Sequence, residues 1–251
     1  MSQITDLCRA VSRKRANFSQ AVRRSRDEDG VGAATRLAVR WVGEGTMRPI
    51  SDLRQRLLDR RLGVETRRAD GPDAEAMAVA RYVDGNPYAP TPARQFTRML
   101  ASLPIDEPSE FTFVDLGCGK GLTLMLAAEH GFPTVVGVEL DRRLAEVAGS
   151  NVRSFVARSP DLAGVIEVVT GDAAGFPLPA GPVVVFLFNS FGEATLSAVV
   201  ETVERSLTRS PRPLFVAYYN PVHRDVLDRS AMLRRLAHTT RWALYEAVRS
   251  H

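Results

Sequence analysis

The stretch from Phe111 to Asp141, FTFVDLGCGKGLTLMLAAEHGFPTVVGVELD, constrains the fold more than any other part of the chain. An apolar run ends in an acid at Asp115. Glycines follow at 117, 119 and 121, and an apolar helical stretch leads to a second apolar run that ends at Glu139. That order reads as strand, tight turn, helix, strand. Both strands are continuously apolar, as in a parallel sheet covered on both faces. Glycine at alternate positions permits positive φ and lets backbone approach a ligand closely. The helix starting near Leu122 points its amide-rich end at that ligand.

The rest of the second half keeps the alternation. VIEVVTGD, GPVVVFLFN and PLFVAYYNP read as strands, and RRLAEVAGSNVRSFVAR and EATLSAVVETVERSL as helices. A further helix and two final strands fit the remaining chain. This predicts an α/β fold with helices on both faces of a mostly parallel sheet. Upstream the pattern is helical, over 2–24, 32–42 and 51–63, with Ser51 as an N-cap and Gly63 as the stop. Residues 66–73 read as a polar linker and 74–83 as a short helix. Pro87, Pro90 and Pro92 make the next segment a loop, and a helix follows over ARQFTRMLASL. The expected division is an arginine-rich helical cap over 1–70 and the α/β domain over 71–251.

Several ligands suit a glycine turn. A dinucleotide fingerprint needs a third glycine at 122, where the chain has leucine, and no phosphate-gripping G-x-x-x-x-G-K-[ST] string is present. S-adenosylmethionine carries an ammonium that an acid placed like Asp115 can hold. Glu139, at the end of the second strand, is placed to accept both ribose hydroxyls. Asp172, in TGDA at the end of the third, suits the adenine amino group.

Taken together, VDLGCGKG, GVELD and GDA resemble the class I, seven-stranded S-adenosylmethionine-dependent methyltransferases over about residues 80–250. The resemblance implies a Rossmann-like seven-stranded sheet with an antiparallel final strand, preceded here by the α-helical N-terminal cap. It implies S-adenosylmethionine as methyl donor and S-adenosylhomocysteine as product. Asp115, Gly117, Gly119 and Gly121 would meet the methionine moiety and Glu139 the ribose. Asp172 with Ala173 would meet the adenine, and Leu140 and Asn189 are counted with this cofactor set. Asn189-Ser190-Phe191-Gly192 stands where adenine N-methyltransferases carry Asp/Asn-Pro-Pro-aromatic; both prolines are missing, which disfavours base methylation. YVDGNPYAPTP resembles the lid of nucleosomal lysine methyltransferases, with Tyr88 and Thr91 over the methionine end and Tyr82 and Asp84 flanking. Tyr218, Tyr219 and His223 fall on the rim after the fifth strand. The candidate catalytic residues are therefore Tyr88, Asn189, Phe191, Tyr218 and His223, with His223 as a possible general base. Aromatic rings there would also steady a cation.

Two cysteines, Cys8 and Cys118, suggest neither a disulfide framework nor a metal site. There is no apolar run of membrane-spanning length and no secretory-type leader. The expectation is a reduced, cytoplasmic protein with no membrane partner. Charge is uneven: residues 1–70 hold 16 Lys and Arg against 9 Asp and Glu, and residues 71–251 hold 17 against 20. DNA or RNA binding needs a basic track, so nucleic acid is a poor partner for the second half. The expected acceptor is a small molecule, anionic if the arginines turn inward, such as a carboxylate or an isoprenoid diphosphate. A protein lysine and a non-catalytic S-adenosylmethionine-binding role are the alternatives. An apolar stripe on the front helices would serve a homodimer.

Overall fold

A computed structural model describes residues 51–67, 88–188 and 191–248. The chain divides into two compact units, Met1–Arg56 and Leu57–His251. In the first unit the described residues, 51–56, are helical. The helices expected over 2–24, 32–42 and 74–83 lie outside the described residues, as do Tyr82, Asp84, Pro87, Asn189 and Ser190. In the second unit residues 57–62 are helical and the helix stops at Gly63, as its position suggested.

The second unit then follows the expected alternation. Its elements are α1 (Ala93–Leu100), β1 (Thr112–Leu116), α2 (Leu122–Glu129), β2 (Thr134–Glu139), α3 (Arg142–Val156), β3 (Ile166–Thr170) and β4 (Val183–Phe188). They continue as α4 (Glu193–Arg209), β5 (Leu214–Tyr219), α5 (Arg224–Asp228), β6 (Leu233–His238) and β7 (Trp242–Ala247). Local chemistry sets the boundaries. Asp141 caps α3 by accepting from the Arg143 and Leu144 amides at 2.8 and 3.4 Å. Pro92 immediately precedes α1, where its missing N–H costs nothing.

The seven strands run β3-β2-β1-β4-β5-β7-β6. Every pairing is parallel except those of β7. The chain winds outward from β1 to β3 and then returns to start again at β4, beside β1. The crevice at that reversal, beyond the carboxyl ends of the strands, is where open α/β sheets bind ligands.

Alternation along the strands sorts side chains between two cores. The first holds Phe113 and Phe186 under Phe96 and Met99 of α1, Leu124 and Met125 of α2, and Phe155 of α3. The second holds Val114, Leu116, Val185 and Leu187 under Leu196, Val199 and Val203 of α4. Phe113 and Asp115 share a face, so the acid near the end of β1 points into the first core's side. Leu122–Ala128 are all buried and, Thr123 excepted, apolar, which explains why the sequence of α2 shows no clean amphipathic stripe. Cys118 is buried in the first core, as a packing residue.

Phe96 is fully buried and stands edge-on to Phe113 and Phe186, with ring centres 5.8 and 5.2 Å away. Phe96→Ala is expected to cost roughly 3–5 kcal/mol of stability in urea unfolding. A loss below about 1 kcal/mol would show that α1 does not close the first core.

Candidate active site

Gly117, Gly119 and Gly121 have φ values of 89, 55 and 81°. The left-handed backbone at three alternate positions explains the glycines. The Gly117 and Cys118 amides donate to the Val138 carbonyl at 2.8 and 3.1 Å, which ties the turn to β2. At Gly119 a Cβ would stand 2.4 Å from Cε2 of Tyr88, so the tyrosine ring rests on bare backbone.

Tyr88 is held there from its far end: its hydroxyl donates to the Thr66 carbonyl at 2.6 Å. Lys120 Nζ donates to the Arg67 carbonyl at 2.7 Å and lies 5.7 Å from the centre of the Tyr88 ring. Asn151, buried on α3, donates through Nδ2 to the Lys120 and Glu65 carbonyls at 2.9 and 3.0 Å. Its Oδ1 accepts from the Glu65 amide at 3.0 Å. Thr66 Oγ1 donates to buried Asp59 at 2.6 Å. Residues 65–67 thus form a strap fastened to the glycine turn through Tyr88, Lys120 and Asn151. None of Asp59, Thr66 and Asn151 was singled out from the sequence. The one available signal was a polar side chain on the buried face of α3.

The expected acids stand at three neighbouring strand ends. Asp115 is 2% exposed. Its Oδ2 accepts from the Thr123 hydroxyl, and its Oδ1 has no partner among the described residues. Burial pushes this carboxyl up to about 7; the Thr123 bond opposes the shift and the Glu139 charge adds to it. Buried Glu139 accepts from the Gly119 amide through Oε2 at 2.8 Å and from the Asp141 amide through Oε1 at 2.9 Å. Burial raises its pKa, and those amide bonds pull it back. Each Glu139 oxygen keeps a second lone pair for another donor. Next to it Leu140 is 54% exposed, unusual for leucine. Exposed Asp172 turns back on itself to accept from the Ala174 amide at 3.0 Å, and Ala173 beside it is buried.

The expected rim residues divide between the two sides of the sheet. Buried Thr91 lies just ahead of α1. Tyr218 must be corrected: strand alternation turns its ring into the second core, 1% exposed, on the face opposite Asp115. Phe191 also packs against that second core. His223 is half-buried ahead of α5, and its amide lies 3.5 Å from the Tyr218 hydroxyl. Tyr219, one residue on, faces the same side as Asp115. Phe188 at the end of β4 meets it edge-on with ring centres 4.9 Å apart. Trp242 packs on that side too. Phe188 and Trp242 were missed in the sequence, because each sits within an apolar run where periodicity does not tell which face a ring takes.

Residues 114–210 match the model of a family described as a methyltransferase domain. Those residues carry a methyltransferase domain. An RNA methyltransferase from Salinibacter ruber, solved with S-adenosylhomocysteine, is similar at 21% identity over 63% of this chain and 92% of that one, with a TM-score of 0.43. A predicted N6-adenine-specific DNA methylase from Listeria monocytogenes is similar at 16% identity over 68% and 53%, with a TM-score of 0.49. Identities this low leave the acceptor of each protein its own. No curated protein matches the chain. No helix among the described residues is long and apolar enough to cross a membrane.

The residues of this site fit S-adenosylmethionine. A buried carboxylate oxygen at Asp115, unpartnered among the described residues, suits an ammonium, and the glycine turn beside it offers backbone without side chains.

A carboxyl whose pKa is raised on folding binds its proton more tightly in the folded chain. Its contribution to stability is therefore greatest at low pH and declines as pH rises toward about 7. Without ligand, wild-type stability relative to Asp115→Asn is expected to fall by roughly 2–3 kcal/mol between pH 5 and 8. A difference that does not change with pH would mean that Asp115 is not held in a desolvated site.

Proposed function

We propose that this chain is an S-adenosylmethionine-dependent methyltransferase acting on a small anionic molecule seated at the carboxyl ends of β4 and β5. In this reading Asp115 and the glycine turn hold the methionine end of the donor, and Glu139 accepts from the ribose hydroxyls. Leu140, Asp172 and Ala173 bound the adenine. Tyr88 and Thr91 cover the methionine end, where the Tyr88 ring already lies on Gly119. Bound S-adenosylmethionine supplies a methyl group on a sulfonium, a leaving group that needs no further activation. What remains for the protein is to orient the acceptor and exclude water. His223, with no side-chain hydrogen bond among the described residues, is available to take a proton from the acceptor.

The observation that carries the small-molecule reading is the aromatic pair Phe188 and Tyr219, on the Asp115 side of the sheet at the ends of β4 and β5. Tyr219 is buried and Phe188 half-buried, and an aromatic floor of this kind suits a compact apolar body. Residues 71–251, with 17 basic against 20 acidic side chains, offer little to a polyanion. A protein lysine is the second reading, supported by the position of Tyr88 on the glycine turn, which is where the lid resemblance would have it.

Incubation with methyl-labelled donor and a cell extract split by filtration separates the two. Label is expected in the small-molecule filtrate, and label confined to retained protein would overturn the first reading. Glu139→Ala is expected to weaken S-adenosylmethionine binding by roughly 1.5–3 kcal/mol, about 10- to 100-fold, in calorimetric titration. Unchanged affinity would remove Glu139 from the ribose.

A further inference from the structure

We propose that the tip of the β6–β7 hairpin is the anion-binding end of the acceptor site, with Arg241 as the residue that selects a carboxylate or phosphate borne on an aromatic or other apolar body. The inference rests on the small-molecule reading above and assigns the group that would recognise the anion.

Topology brings the tip to the site. Because β7 runs antiparallel to β5, its first residue, Trp242, pairs with the last residue of β5, Tyr219. The turn before β7 is thereby carried to the same edge of the sheet as the glycine turn. That turn is fixed at several points. The Asn220 amide donates to the Arg241 carbonyl at 2.6 Å, from a left-handed backbone with φ of 50°. The Arg241 and Trp242 amides both donate to Thr239 Oγ1 at 3.1 Å, and the Thr239 amide donates to the Trp242 carbonyl at 2.8 Å. With its backbone held on both sides, Arg241 keeps only its side chain free to move, and it is exposed.

Among the described residues no carboxylate neutralises the charge at this position. Both arginines of β6 are paired, Arg234 with Glu246 and Arg235 with Asp228. Arg241 has no carboxylate partner among the described residues. Its guanidinium is near enough to the Tyr219 hydroxyl to oppose the upward shift that burial gives that group. Tyr219 is buried, but Trp242 and Phe188 on the same side of the sheet are partly exposed, so Arg241, next to Trp242 in the chain and without a carboxylate partner among the described residues, borders an aromatic surface. A planar fork of donors above such a surface matches an anionic head on a flat or apolar body.

The test uses the full chain saturated with S-adenosylhomocysteine and three probes, benzoate, phenyl phosphate and benzyl alcohol, titrated by ligand-observed NMR. Wild type is expected to bind the two anions at least about tenfold more tightly than the alcohol. Arg241→Gln is expected to abolish that preference while leaving both the benzyl alcohol affinity and S-adenosylmethionine binding unchanged, with Arg241→Lys retaining part of it. Arg143→Gln, which alters an exposed arginine on α3, is expected to behave as wild type. No probe binding by wild type, no preference for the anions, or a preference that survives Arg241→Gln would each overturn the proposal. Failure of the small-molecule reading shows separately, as label on retained protein in the transfer assay.

Discussion

Asp115, next to last in β1, has one carboxylate oxygen bonded to Thr123 and the other unpartnered among the described residues, nearly out of reach of water. Burying a charge in this way is unfavourable unless something answers it. The raised pKa is the ligand-free answer: the group holds a proton more readily. A donor ammonium would be another, and it would draw the carboxyl back toward its charged form. The same burial that weakens the empty fold at neutral pH therefore strengthens attraction for a cation.

The glycine turn and the strap depend on that arrangement. The turn must pass close over Asp115, so it is tied to β2 through Val138 and to Glu139 through the Gly119 amide. Glycine makes the path possible, but it also leaves the turn without side chains to fix it. Asn151, Lys120 and Tyr88 supply those contacts by fastening residues 65–67 across it. A turn held in this way is pre-organised, so less ordering remains to be done when a ligand arrives.

Strand alternation then decides which aromatic residues can serve the site. Tyr218 and Tyr219 are adjacent in sequence, yet one fills the core beneath α4 and α5 and the other faces the ligand side. A one-residue difference reverses the role because side chains in a strand alternate with a period of two.

The sequence by itself determined the α/β order, the glycine turn, and the acids at the ends of β1, β2 and β3. Each is a local pattern: continuous apolar runs, spaced glycines, and an acid where a run stops. The tertiary structure alone decided the partners of those residues. Asn151 reaches Glu65, and the Asn220 amide reaches the Arg241 carbonyl, through contacts between residues far apart in the chain. The facing of Tyr218, Phe188 and Trp242 belongs to the same class, because a wholly apolar strand buried on both sides carries no periodic signal of which face is which.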